Sequence, residues 1–65
     1  MLKPYAFDLP SEVAKEIIPQ FRQAGFYFEH IDIDESITLF AVFAYSDREA
    51  FAIFTLALST ARRLA

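Results

Sequence analysis

The chain has no cysteine, no tryptophan, one histidine and one glycine. Without cysteine there is no disulfide and no thiolate zinc site. With His30 alone, a two-histidine metal site cannot form within one chain. With Gly25 alone, the glycine-rich loops that cradle phosphate groups are excluded. Positive charge is scarce as well: six Lys and Arg against nine Asp and Glu leave −3. Nucleic-acid affinity draws mostly on cations that displace phosphate counterions, so an acidic chain with scattered cations is a poor candidate. Long apolar runs are also missing. Ile37–Tyr45 stops at Ser46-Asp47-Arg48-Glu49, and Ala50–Ala61 stops at Arg62-Arg63. Both fall short of the about 20 residues that a spanning helix needs. No apolar run near Met1 reads as a signal peptide, so a cytoplasmic protein without membrane contact is expected.

Apolar and aromatic material is abundant instead. Apolar residues make up 55% of the 65, with eight Phe and three Tyr. A domain of this size buries only about 60% of the surface its unfolded chain exposes. Small scaffolds usually add a staple. With disulfides and thiolate metal sites excluded, a partner chain remains, and a homodimer is expected.

Four segments follow along a single domain, 1–65. Residues 1–8 form an N-terminal arm in which Tyr5 and Phe7 alternate with Ala6 and Asp8, as in a short edge strand. Residues 9–24 read as a helix, with Pro10 in the first turn and Asp8 or Ser11 as N-cap. Val13, Ala14, Ile17, Ile18, Phe21 and Ala24 fall within an arc of about 140°. Pro19 projects from the polar side of that helix, where a kink would wrap it onto the core; one bent helix is expected, with two short helices as the alternative. Gly25 ends it.

Residues 26–45 read as an antiparallel β-hairpin around Asp34-Glu35-Ser36. A three-residue loop pairing Ile33 with Ile37 gathers Tyr27, Ile31, Ile33, Ile37, Leu39 and Phe43 on one face, which is taken as the core face. Ser46-x-x-Glu49 is a capping box, so a second helix runs over 47–64. Its apolar arc holds Ala50, Phe51, Ile53, Phe54, Ala57, Leu58, Ala61 and Leu64. The expected fold class is α+β, helix–hairpin–helix (α-β-β-α) in two layers, with a short leading N-terminal strand as the alternative to an extended arm, and with the sheet completed or covered across the homodimer.

Four features carry the search for function. Glu29, His30, Asp32, Asp34 and Glu35 cluster at the hairpin tip, but Asp32-x-Asp34-x-Ser36 lacks the glycine and distant glutamate of a calcium loop. No nucleophile is placed beside His30. These residues read as solvated charges, with no metal, cofactor or catalytic role. The opposite face of the hairpin, with Phe26, Phe28, His30, Thr38, Phe40 and Val42, reads as an exposed apolar patch and hence the interaction surface. Ala50, Ala57 and Ala61 form a row of small residues that lets the second helix sit tightly on its own chain. Arg48, Arg62 and Arg63 form a secondary basic surface on that helix.

The expected function is that of a non-enzymatic protein–protein interaction module. It is a homodimer that binds a larger protein and modulates it, most simply by inhibition, as small phage- or mobile-element-encoded proteins do. The alternative is a small nucleic-acid-associated regulator, an antitoxin or repressor accessory, using arginines pooled from two chains.

Overall fold

A computed structural model describes residues 1–64; Ala65, the last residue of the expected domain, lies outside the described residues. The elements run β1 (Lys3–Pro10), α1 (Ser11–Ala24), β2 (Tyr27–Asp32), β3 (Ile37–Ala44) and α2 (Asp47–Leu64). The three strands form one antiparallel sheet in the order β1-β3-β2. The order is therefore β-α-β-β-α rather than α-β-β-α. The N-terminal arm is a full edge strand that takes Leu9 and Pro10 from the expected helix. Pro10 has an extended ψ of 140° beside a φ of −55°. Proline fixes only φ, near −65°, a value that extended and helical backbone share. That ambiguity let Pro10 read as a first-turn residue.

No Asn-Gly or Asp-Gly pair settles the hairpin register from the residues; the structure pairs Ile33 with Ile37. Ile33 N–H donates to Ile37 O at 2.9 Å, and Ile31 faces Leu39 across the strands. The Asp34 carboxylate closes the loop. Its Oδ1 accepts from Ser36 N–H (2.7 Å), Ser36 Oγ (2.8 Å) and Ile37 N–H (3.0 Å).

The face assignment is corrected. Both helices lie on the face that carries Thr38, Phe40, Val42 and Ala44, all buried. Phe40, Val42, Ile17 and Phe21 are at the centre of the core, joined by Leu9, Val13, Ala14, Ile53 and Ala57. Tyr27, Ile31 and Ile33, expected inside, are 71%, 62% and 60% exposed. The third strand decides this. Its register places Tyr5, Phe7 and Leu9 opposite Val42, Phe40 and Thr38, and places Asp8 beside Leu39. One face of the three-stranded sheet then carries Asp8 and Glu29, while the helix side leaves its own Lys3, His30 and Asp32 exposed beyond the packed residues. Burying two unpaired carboxylates is costly, so that face stays open.

Helix α1 is continuous through Pro19, which is exposed. It ends in a Schellman motif: Gly25 adopts φ 77°, Gly25 N–H donates to Arg22 O, and Phe26 N–H donates to Phe21 O. The Phe26 and Phe21 rings then meet edge to face at 5.4 Å, the hydrophobic contact that accompanies this cap. Neither expected side-chain N-cap forms at the other end; Pro10 holds the N-cap position, and the Ser11 hydroxyl is engaged with Thr38.

In α2 the Ser46 Oγ accepts from Glu49 N–H at 3.2 Å, the N-cap half of the expected box. Ala50, Ile53, Ala57 and Thr60 form its buried stripe, so the alanine row packs within its own chain. Phe51, Leu58 and Leu64, expected in that stripe, are exposed.

Candidate functional site

The polar cluster of the hairpin tip divides between the two faces of the sheet. Glu29 lies on the open face, in a row with Ala6 and Ala41. His30 and Asp32 lie on the helix side, where a cleft of about 270 Å³ runs between α1 and the hairpin beside Ser11, Lys15 and Thr38. The His30 ring stacks on Phe28 at 6.2 Å and tilts against Phe40 at 5.9 Å.

Asp34 faces its own turn. The Ser36 backbone N–H, then the Ser36 hydroxyl and the Ile37 N–H, hold its carboxyl below the ordinary 3.8, against a smaller opposing effect of desolvation. Among the described residues no three His, Asp or Glu side chains are grouped to hold a metal ion.

A hydrogen-bonded chain crosses the cleft floor. Thr38 Oγ1 donates to Asp32 Oδ1 at 2.9 Å, and Ser11 Oγ lies 3.1 Å from Thr38 Oγ1. The threonine has one hydroxyl proton and gives it to the carboxylate, so Ser11 is the donor to Thr38. The arrangement resembles a relay, but its middle member is an alcohol, which cannot serve as a base near neutral pH. Its effect is to satisfy the buried Thr38 hydroxyl and to tie the start of α1 to the sheet.

The six residues expected at an interface separate in the same way. Thr38, Phe40 and Val42 are buried beneath the helices and offer no surface to a partner. Phe26 and Phe28 are half-buried against Phe21, and only His30 is exposed. Half of the expected exposed patch is therefore buried, and one residue of it is exposed.

The arginines do not form one patch. Arg48 and Arg62 are fourteen residues apart on α2, a rise of about 21 Å. Arg63 Nη2 donates to Thr60 Oγ1 at 3.2 Å, and Thr60 donates to Gln20 Oε1 at 3.2 Å, which links α2 to α1.

The surface that sequence reasoning missed is the open face. Four rows cross it: Pro10–Ile37–Ile33, Asp8–Leu39–Ile31, Ala6–Ala41–Glu29 and Pro4–Phe43–Tyr27. Ten of these twelve residues are apolar, and the other two are carboxylates on opposite edge strands. The central column Ile37, Leu39, Ala41, Phe43 is half-buried by its neighbours alone. A depression of about 300 Å³ lies at Ala41, bounded by Glu29, Ile31 and Leu39 with His30 at its edge.

The two sheet edges differ. The Ile33–Ile37 hydrogen bond sets the phase of the ladder, so the odd-numbered residues of β2 bond to β3. Phe28, His30 and Asp32 therefore direct their N–H and C=O groups outward from a free edge. On β1 the outward positions are Pro4, Ala6, Asp8 and Pro10. Two of the four carry no N–H, which blunts that edge.

No helix among the described residues is long and apolar enough to cross a membrane. Comparison with protein-family models, curated proteins and solved structures returned no match.

Proposed function

We propose that the protein is a non-enzymatic interaction module that docks on a larger protein through its open sheet face and modulates it. One observation carries this reading: ten of the twelve residues on that face are apolar, and no element among the described residues packs over them. An apolar sheet face of this extent on a small protein marks an interaction site. The original expectation of an apolar binding patch on the hairpin is kept, and its location moves to the opposite face.

The test compares capture from an extract of the cells the protein comes from, using three baits: the parent, Leu39→Asp on the open face and Arg48→Glu on α2. The expected result is a protein retained by the parent and by Arg48→Glu and lost from Leu39→Asp. The same retained set on all three baits would overturn the reading.

Self-association is a second part of the proposal, supported by the unprotected β2 edge. Pairing of two β2 strands would extend the sheet to six strands and leave both open faces available. Light scattering is expected to give a dimer for the parent and a folded monomer for His30→Pro, which removes one outward N–H without breaking the ladder to β3. A parent that stays monomeric at about 100 μM, well above the range of stable dimers, would exclude it.

A further inference from the structure

Resting on the open-face reading, we infer that the partner's docking element is a cationic amphipathic helix laid along β3. Charge is the first argument. The only ionised side chains on the face are Asp8 and Glu29, and residues 23–47 contain no Lys or Arg. A second copy of this face would bring the same two carboxylates and no cation, so self-docking leaves four acidic groups unpaired. A partner surface with basic flanks answers both carboxylates at once.

Spacing is the second argument. Asp8 and Glu29 lie on opposite edge strands, two residues out of line with each other. At ~4.8 Å between strands and ~3.4 Å per residue, their Cα atoms are about 12 Å apart across β3. That matches the ~10–12 Å diameter of a helix with its side chains. A helix resting on Leu39 and Ala41 would hold Lys or Arg from its two flanks over the two carboxylates. The column from Ile37 to Phe43 is about 20 Å long, matching roughly fourteen helical residues.

Shape is the third argument. The row Ala6–Ala41–Glu29 is the low point of the face, and the 300 Å³ depression sits there. It has room for one apolar side chain from the middle of such a helix, an anchor of the kind that dominates interface energy.

The experiment uses the full chain and two designed peptides of about eighteen residues. Each has a leucine stripe with alanine fill, one with lysine flanks and one with glutamate flanks. Binding is measured by titration calorimetry and mapped by amide chemical shifts. The lysine peptide is expected to bind at least about tenfold tighter, since two attractive surface pairs replace two repulsive ones. The margin should shrink in high salt. Shifts should centre on Leu39, Ala41 and Phe43.

The deciding variant is Asp8→Lys with Glu29→Lys, both exposed positions, checked for folding by circular dichroism. Its preference should reverse to the glutamate peptide. Equal binding of the two peptides, a preference unchanged in the double variant, or shifts confined to α1 and α2 would overturn the inference. If the peptides fail while capture still depends on Leu39, the open-face reading stands and the cationic helix is wrong. If capture is also indifferent to Leu39→Asp, both fall.

Discussion

The ring of Phe40 meets the ring of Phe21 edge to face with centroids 5.9 Å apart, and neither ring is exposed to solvent. The contact joins the middle of the central strand to the last turn of α1. Phe7 stacks on the other side of Phe40 at 5.6 Å and turns its own edge to Phe54 of α2 at 5.3 Å. One aromatic chain thus couples both helices to two strands. Aromatic pairs in these geometries add to simple burial, so emptying the Phe40 site breaks contacts to both Phe21 and Phe7.

Phe40→Ala is expected to cost about 3–5 kcal/mol, the range for emptying a buried aromatic site. For a domain with a total stability of roughly 5 kcal/mol, that leaves it largely unfolded at room temperature. Ile31→Ala, on the open face, should change stability by no more than about 0.5 kcal/mol. Urea melts followed by circular dichroism check both. A mild Phe40 variant beside a severe Ile31 variant would return the core to the other face.

The second expectation concerns Thr38, whose hydroxyl donates to Asp32 and accepts from Ser11. Thr38→Val keeps the volume and removes the hydroxyl, and should cost about 1 kcal/mol. The loss should shrink when Asp32 is already alanine, because the two changes remove the same hydrogen bond. Strict additivity in that double-mutant cycle would mean the bond contributes nothing.

Much of the fold is legible in the residues, and the error has a definite place. The stripe Val13, Ala14, Ile17, Phe21 fixed α1, Gly25 fixed its end, and Ser46 with Glu49 fixed the start of α2. The hairpin itself was legible, but no turn signal fixed its register, and the one argument for pairing Ile33 with Ile37 was the aliphatic face it gathers, which is the open one. What went wrong was a choice between two faces, each with apolar residues, made on two strands. The aliphatic set Ile31, Ile33, Ile37, Leu39 reads as a core face, interrupted only by Glu29 and Ala41. Counting Tyr5, Phe7 and Leu9 as a third strand would have added Asp8 to that face and three apolar residues to the other side. The open face follows the same logic: the surface left for a partner is whichever face the core does not take. The asymmetry of the sheet edges required the strand order, which no local pattern encodes.

Acid should weaken the hairpin through Asp34. Its folded pKa is depressed by the Ser36 and Ile37 donors, so the unfolded chain takes up the proton first as pH falls. The stabilisation is complete above the ordinary value of 3.8 and is lost as pH drops through the lowered folded value. Asp34→Asn keeps an acceptor oxygen but does not titrate. The difference in melting temperature between parent and variant should hold from about pH 6 to the ordinary carboxylate range and then narrow toward about pH 2. A difference that does not change over that span would show that the loop makes no use of the charge.

Alkali should act through Tyr5, whose hydroxyl donates to Asp47 Oδ1 at 2.7 Å and ties β1 to the first turn of α2. That hydrogen bond to Asp47, with a smaller contribution from desolvation and then from the charges of Asp47 and Glu49, holds the phenol above its ordinary 10.0. A raised folded pKa means the stabilisation is full below 10.0 and fades as pH rises through the folded value. Tyr5→Phe should therefore melt below the parent at neutral pH and approach it in strong alkali. Parallel melting curves across that range would remove the tie from the account of stability.

Pro19 gives the last test. It sits in the interior of α1, on the exposed side, and cannot supply an N–H to the carbonyl of Lys15. An interior proline disfavours a helix by about 3 kcal/mol relative to alanine. Two effects reduce the gain from removing it. Water reaches the free Lys15 carbonyl on the outer side of the helix, and proline also restricts the unfolded chain, an advantage of up to about 1 kcal/mol that alanine gives up. Pro19→Ala is therefore expected to stabilise the protein by about 1–2 kcal/mol, read as a higher urea midpoint with an unchanged slope. The buried residues on either side of it, Ile17 and Phe21, keep their places only if the helix axis stays close to its present course. A destabilised variant would show that the curvature Pro19 imposes is needed to seat both side chains against Phe40 and Val42, and that the proline sets the shape of the core rather than merely being tolerated at its edge.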